Sequence, residues 1–150
     1  MEESYRLERF VEAQNAGGTY QRACEEIRRG SKDTHWIWFV FPQLAGLGSS
    51  AMSREYSIRS LDEARAYLEH PVLGPRLRDI TSAANSHVAK SAHDIFRYDD
   101  VKFHSSMTLF ARASNDTLFQ RALDQFFAGE ADARTDTLLA QSGPSTIVEE

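Results

Sequence analysis

The sequence predicts an all-α fold: a compact single-domain bundle of roughly six to eight short helices, with a Gly-containing loop after an aromatic segment. Three observations lead there. Apolar residues recur at helical spacing along most of the chain, cap residues punctuate those runs, and no two segments share the clean period of two that paired strands need. The first run is Leu7, Phe10, Val11 and Gln14, stopped by Gly17–Gly18. Thr19 can cap a second helix with Tyr20, Ala23, Cys24 and Ile27 inward, ended by Gly30. Ser60-Leu61-Asp62-Glu63 reads as a capping box opening a helix with Ala64, Tyr67 and Leu68 inside. Pro71 stops or restarts the chain, and Leu73, Leu77, Ile80, Ala84 and Val88 continue at spacings of four, three, four and four.

Further on, Ser91 to Asp94 can cap a short turn through Phe96, and Asp99 or Asp100 a helix carrying Phe103, Met107, Phe110 and Ala111. Leu118, Phe119, Ala122, Leu123, Phe126 and Phe127 form the strongest amphipathic pattern, closed by Gly129. A last short helix holds Leu138 and Leu139. His35–Phe41 has strand-like composition, but it lacks a partner and reads better as a short buried helix ended by Pro42. The domain is expected to span 1–142, with 143–150 a flexible tail.

Composition narrows the function classes. The chain has 150 residues, 41% hydrophobic and 26% charged, which suits one soluble domain burying roughly 68–70% of its unfolded surface. Net charge is −5, and the 14 arginines and 3 lysines are scattered, so no nucleic-acid groove is expected. The longest apolar run, Trp36–Phe41, is six residues, against the roughly 20 of a membrane helix. The start of the chain carries no signal-peptide pattern, and Cys24 is the single cysteine, which points to the reducing cytoplasm. The five histidines have no metal-ligand spacing, so neither metal nor cofactor is expected.

Three stretches can carry chemistry. The first is the loop Gly46–Arg54, where Gly48, Ser49 and Ser50 can turn backbone N–H groups and hydroxyls toward an anion, with Arg54 neutralising a phosphate. Its bland alternative is a turn and a Ser50 cap. The second is the aromatic block. On a helix Trp36 and Phe39 share one side and Trp38 and Phe41 the other, so one tryptophan, beside His35 and Gln43, can wall a pocket and stack on a ring. Core packing is the alternative. The third is the helix from Asp100, whose Lys102, Ser105 and Ser106 share a polar side. Asp100 with Lys102 can serve a reacting centre in glycosidic hydrolysis, or be merely a cap and a solvated side chain.

The motifs themselves look familiar. His35-Trp36-x-Trp38-Phe39-x-Phe41-Pro42-Gln43-x-x-Gly46-Leu47-Gly48-x-Ser50, Ala64-x-x-Tyr67-Leu68-x-His70-Pro71-x-Leu73-Gly74-x-Arg76-Leu77 and Asp100-x-Lys102-Phe103-x-Ser105-Ser106-Met107-Thr108-Leu109-Phe110 resemble a bacterial family known as domain of unknown function 1810. Its members are sometimes mislabelled calpastatin, a polar disordered inhibitor that this composition does not fit. The resemblance runs from about Leu7 to Leu139 and implies a mainly helical fold without an established activity. The order of Leu73-Gly74, then Asp100, Lys102 and Met107, then Asp132, Thr135, Leu138 and Leu139 is more distantly similar to the helical NADAR proteins. That likeness implies hydrolysis of N-glycosidic bonds in ADP-ribose-type metabolites. Two functions are therefore expected to compete: a small-molecule hydrolase acting on a phosphate-containing, nucleotide-like anion, and a non-enzymatic ligand-binding or interaction module.

Overall fold

The computed structural model describes residues 5–142. Ten α-helical segments occur among them: α1 (Glu8–Asn15), α2 (Thr19–Arg29), α3 (Ile37–Val40), α4 (Ala51–Glu55), α5 (Leu61–Glu69), α6 (Leu73–Asn85), α7 (Ala92–Phe96), α8 (Asp100–Ala113), α9 (Thr117–Phe127) and α10 (Ala133–Ser142). The all-α class holds. The extended pairing found among these residues is one parallel bridge, Leu44 with Ile58. The segment 143–150, expected to be a tail, lies outside the described residues. None of the described helices is long and apolar enough to cross a membrane.

Helix α8 is the hub, packing against α5, α7, α9 and α10. Phe103, Met107 and Phe110 on it are fully buried, as the spacing predicts. Phe103 stacks on Phe96 at 4.1 Å between centroids and meets Phe41 edge-on at 5.2 Å. Such aromatic pairs add roughly 0.5–1.5 kcal/mol each beyond the area they bury.

Local chemistry sets the helix ends. Gly30 ends α2 in the left-handed region at φ 86°. Ser91 caps α7 as expected, and with Asp94 it completes a reciprocal capping box there. At α5, Ser60 Oγ accepts the Glu63 amide at 3.0 Å, but the Glu63 carboxylate turns to the Arg59 amide at 2.9 Å and to Arg9 at 3.5 Å. Arg9 also donates to the carbonyls of Glu55 and Ser57, both at 2.8 Å, fastening the approach to α5 onto α1.

Three expectations about ends are corrected: first, Thr19 does not cap α2 but is its first residue, behind Gly18 at the cap position, and its hydroxyl donates back to the Ala16 carbonyl. Helix α6 stops at Asn85, and Val88 is 81% exposed rather than inward, because the chain turns there and His87 Nε2 donates to the Ile27 carbonyl at 2.7 Å. Neither aspartate caps α8: Asp99 occupies the cap position without a side-chain cap bond, its carboxylate being taken by lysines, and Asp100 is already helical.

Pro71 restarts rather than merely stops the chain. The residue before a proline avoids the α region, and His70 is extended at ψ 134°, ending α5. Two residues later α6 begins so close to α5 that a Cβ on Gly74 would run into the Leu68 backbone carbonyl, which Arg78 also binds at 3.2 Å. Backbone cannot yield as a side-chain end can. Gly74→Ala is therefore expected to lower stability by about 2–3 kcal/mol, read as the midpoint shift in urea unfolding with an unchanged slope.

Candidate functional site

Short-range forces build one recess around the loop that follows the aromatic block. The bridge pinches the loop at its base, with the Ala45 amide on the Ile58 carbonyl at 2.7 Å and the Ile58 amide on the Gln43 carbonyl at 2.9 Å. From the far side α10 holds it. Arg134 donates to the Leu47 carbonyl at 3.0 Å, and Gly46, at φ 101°, faces the Leu138 side chain. At the tip, Gly48 lies so near α4 that a Cβ there would sit 2.6 Å from Ser53 Cβ, so the loop's path requires glycine at that position. Ser50 caps α4 by accepting the Ser53 amide at 3.1 Å, and its hydroxyl bonds Ser53 Oγ at 2.9 Å.

The resulting cavity encloses about 370 Å³. Its walls are Trp38 of α3, the loop residues Gln43 and Leu47 to Ser50, Ser53 of α4, Val101, Lys102 and Ser105 of α8, and Arg134 of α10. Stretches far apart in sequence thus meet, and seven of the residues singled out from sequence are among them: Trp38, Gln43, Gly48, Ser49, Ser50, Lys102 and Ser105. Two cations face the space, and the lining includes no carboxylate. In a chain of net charge −5 the lining itself thus presents cationic donors and no acid, with Asp99 paired to Lys102 from behind.

The other sequence candidates lie elsewhere. Trp36 is fully buried, its indole N–H donating to Glu26 at 2.9 Å. Helix α3 spans only Ile37–Val40, so Trp36 and Phe41 fall outside it, and both are core residues instead of taking opposite faces. His35 is exposed but does not line the cavity. Arg54 turns its guanidinium back onto the Ser49 carbonyl and so braces the loop instead of facing the space. Ser106 is fully buried, one residue round the helix from Ser105. Asp100 points its carboxylate at His93, 3.5 Å away, and is likewise absent from the walls.

Leu47, Ser53, Val101 and Arg134 were not singled out as site residues. Arg134 had a signal, since Asp132-Ala133-Arg134-Thr135 can equally be a helix start with an arginine contact or part of a site. Its partner across the cavity could be found only in three dimensions.

Behind the walls runs an ion chain. Asp99 pairs with Lys102 at 3.4 Å and with buried Lys32 at 2.8 Å. Lys32 also donates to the Thr34 carbonyl at 2.6 Å and lies 4.8 Å from the Trp36 ring centre. Trp36 and Thr34 in turn hold Glu26. That carboxylate accepts from Asp33 N at 2.8 Å, Thr34 N at 3.1 Å, Thr34 Oγ1 at 2.6 Å and Trp36 Nε1 at 2.9 Å. Burial alone would raise its pKa, but these donors outweigh it and bring the value down to about 2. Among the described residues no cluster of His, Cys, Asp and Glu could hold a metal ion.

The crystal structure of the conserved hypothetical protein Rv1873 from Mycobacterium tuberculosis has the same fold, with a TM-score of 0.88. It is 48% identical, over 91% of this chain and 98% of that one. No curated protein matches the sequence. The family model described as "Protein of unknown function (DUF1810)" matches residues 4–139. Neither match is to a NADAR protein. With that model spanning nearly all of the described helices, the chain belongs to the DUF1810 family.

Proposed function

We propose that the chain binds a small phosphate-bearing molecule in the cavity between the 43–53 loop and the first turns of α8. The observation that carries this reading is the convergence of Lys102, Arg134 and the loop hydroxyls on one recess whose lining has no acid. Charge-assisted donors of this kind are among the stronger hydrogen bonds, and an arginine presents a planar fork that matches phosphate. Ser50 gives its proton to Ser53 Oγ, leaving the Ser53 proton for an anion. Trp38 supplies an apolar wall on which a ring can stack. At about 370 Å³ the space is at the small end of ligand sites, roughly 300–1,000 Å³, which favours a single phosphorylated unit over an ADP-ribose-sized one. The lone Cys24, buried, suits a cytoplasmic setting for such a metabolite.

The binding reading is preferred to glycosidic hydrolysis on the same ground. Hydrolysis requires a carboxylate at the reacting atom. Asp100 faces His93, and Asp132 reaches the cavity only through the Ser105 hydroxyl.

Titration calorimetry at low ionic strength with inorganic phosphate and with a nucleoside 5′-monophosphate tests the proposal. Saturable binding that weakens with added salt is expected. A ligand at 100 times its Kd should stabilise the fold by about 2.7 kcal/mol in a thermal scan. Absence of binding by both compounds would overturn the proposal. Release of free base from the nucleotide would restore the hydrolase reading.

A further inference from the structure

We infer that the ligand carries a hydroxyl group within a few bonds of its phosphate, as a phosphorylated sugar or polyol does, and that Ser105 is the residue that reads it. This rests on the phosphate-binding reading and specifies its substrate class. Ser105 Oγ lies 3.1 Å from the Val101 carbonyl and 3.0 Å from Asp132 Oδ2. Neither a carbonyl nor an ionised carboxylate has a proton to give, so the hydroxyl proton is directed to these two acceptors. What Ser105 offers the cavity is its lone pairs. It therefore accepts, and its natural complement is a ligand donor such as an O–H group.

The direction of that hydroxyl is fixed from behind. Asp132 Oδ2 also accepts from Thr135 N at 3.1 Å and Thr135 Oγ1 at 2.6 Å, and the Asp132 amide donates to Thr108 Oγ1 at 2.9 Å. Ser105 is itself only 2% exposed, so an unmatched ligand group pressed against it loses its water without gaining a bond. Lys102 stands three residues earlier on α8, on the same side of the helix. One turn places the two Cβ atoms about 5–6 Å apart. A cation for the phosphate and an acceptor for a hydroxyl are thus spaced for two groups of one small molecule. The recess combines donors for an anion with one oriented acceptor, a pattern that bare phosphate satisfies only in part.

Calorimetric titration with ribose 5-phosphate and with methyl phosphate, a monoester without hydroxyls, provides the test. The wild type is expected to bind ribose 5-phosphate about tenfold or more tightly than methyl phosphate. Ser105→Ala should remove most of that preference while leaving methyl phosphate binding within about twofold. Ser105→Cys, which keeps the side-chain shape with a poorer acceptor, should behave like the alanine variant, and circular dichroism checks that each variant is folded. Equal wild-type affinity for the two esters, or equal loss of both in the variants, would overturn the hydroxyl assignment and leave phosphate binding standing. Failure of both esters to bind would instead remove the phosphate reading and this inference with it.

Discussion

Glu26→Gln is expected to cost about 3 kcal/mol of folding stability at neutral pH and to flatten the acid limb of the stability profile. The magnitude follows from a carboxylate whose folded pKa is about 2 against an ordinary value of 4.5. The depressed value means that the ionised form is favoured by the fold. Its contribution is complete above the unfolded pKa and disappears as pH falls through the folded one, between roughly pH 5 and 2. Glutamine with its oxygen in the Oε1 place keeps the donors Asp33 N, Thr34 N and Trp36 Nε1 but offers them no charge. Its amide nitrogen takes the Oε2 place, where the Thr34 hydroxyl now donates. Urea unfolding at pH 7, 4 and 2.5 measures both effects. A variant within about 0.5 kcal/mol of wild type at pH 7, or with the same loss on acidification, would contradict the account.

Removing the cavity's charges is the second large effect. Lys102→Ala and Arg134→Ala are each expected to weaken inorganic phosphate binding by about tenfold or more, since a hydrogen bond to a charged group contributes roughly 1.5–3 kcal/mol. The double variant should lose about a hundredfold if the two act independently. Arg28→Ala, an exposed arginine on α2 away from the recess, should change affinity less than about twofold and so reports the general effect of lost positive charge. Equal weakening by all three substitutions would show that binding is diffuse attraction. Stability should change little with Arg134→Ala, because that side chain is exposed and its bond to Leu47 is at the surface.

Much of the fold was legible because helices announce themselves locally. The 3.6-residue period of Phe103, Met107 and Phe110, the Ser91–Asp94 box and Gly30 each depend on residues within a few positions of one another. His35–Phe41 shows where that reasoning needed help: its composition favours strand, yet Pro42 and the missing partner strand decide for a four-residue helix. Val88 failed for the complementary reason, since a spacing rule cannot see that the chain turns after Asn85.

Site residues divide by the same logic. Trp38 and Lys102 were found because polar or aromatic types sat on an otherwise apolar element. Arg54 and Asp100 were chosen by type, but each has a local partner, the Ser49 carbonyl and His93, that spends its charge before it reaches the cavity. Ser53 and Arg134 gain their place from loop closure and the docking of α10, and neither leaves a periodic trace.

The ion chain behind the walls has a wider consequence. Lys102 is the outermost rung of a ladder that descends through Asp99, Lys32 and Trp36 to the buried Glu26 carboxylate of α2. A guest that draws Lys102 toward itself leaves Asp99 leaning on Lys32 alone, and protonating the bottom rung loosens the same uprights from below. Any coupling between occupancy of the proposed site and acid resistance in this corner of the molecule would be reciprocal, each shifting the other by the same free energy.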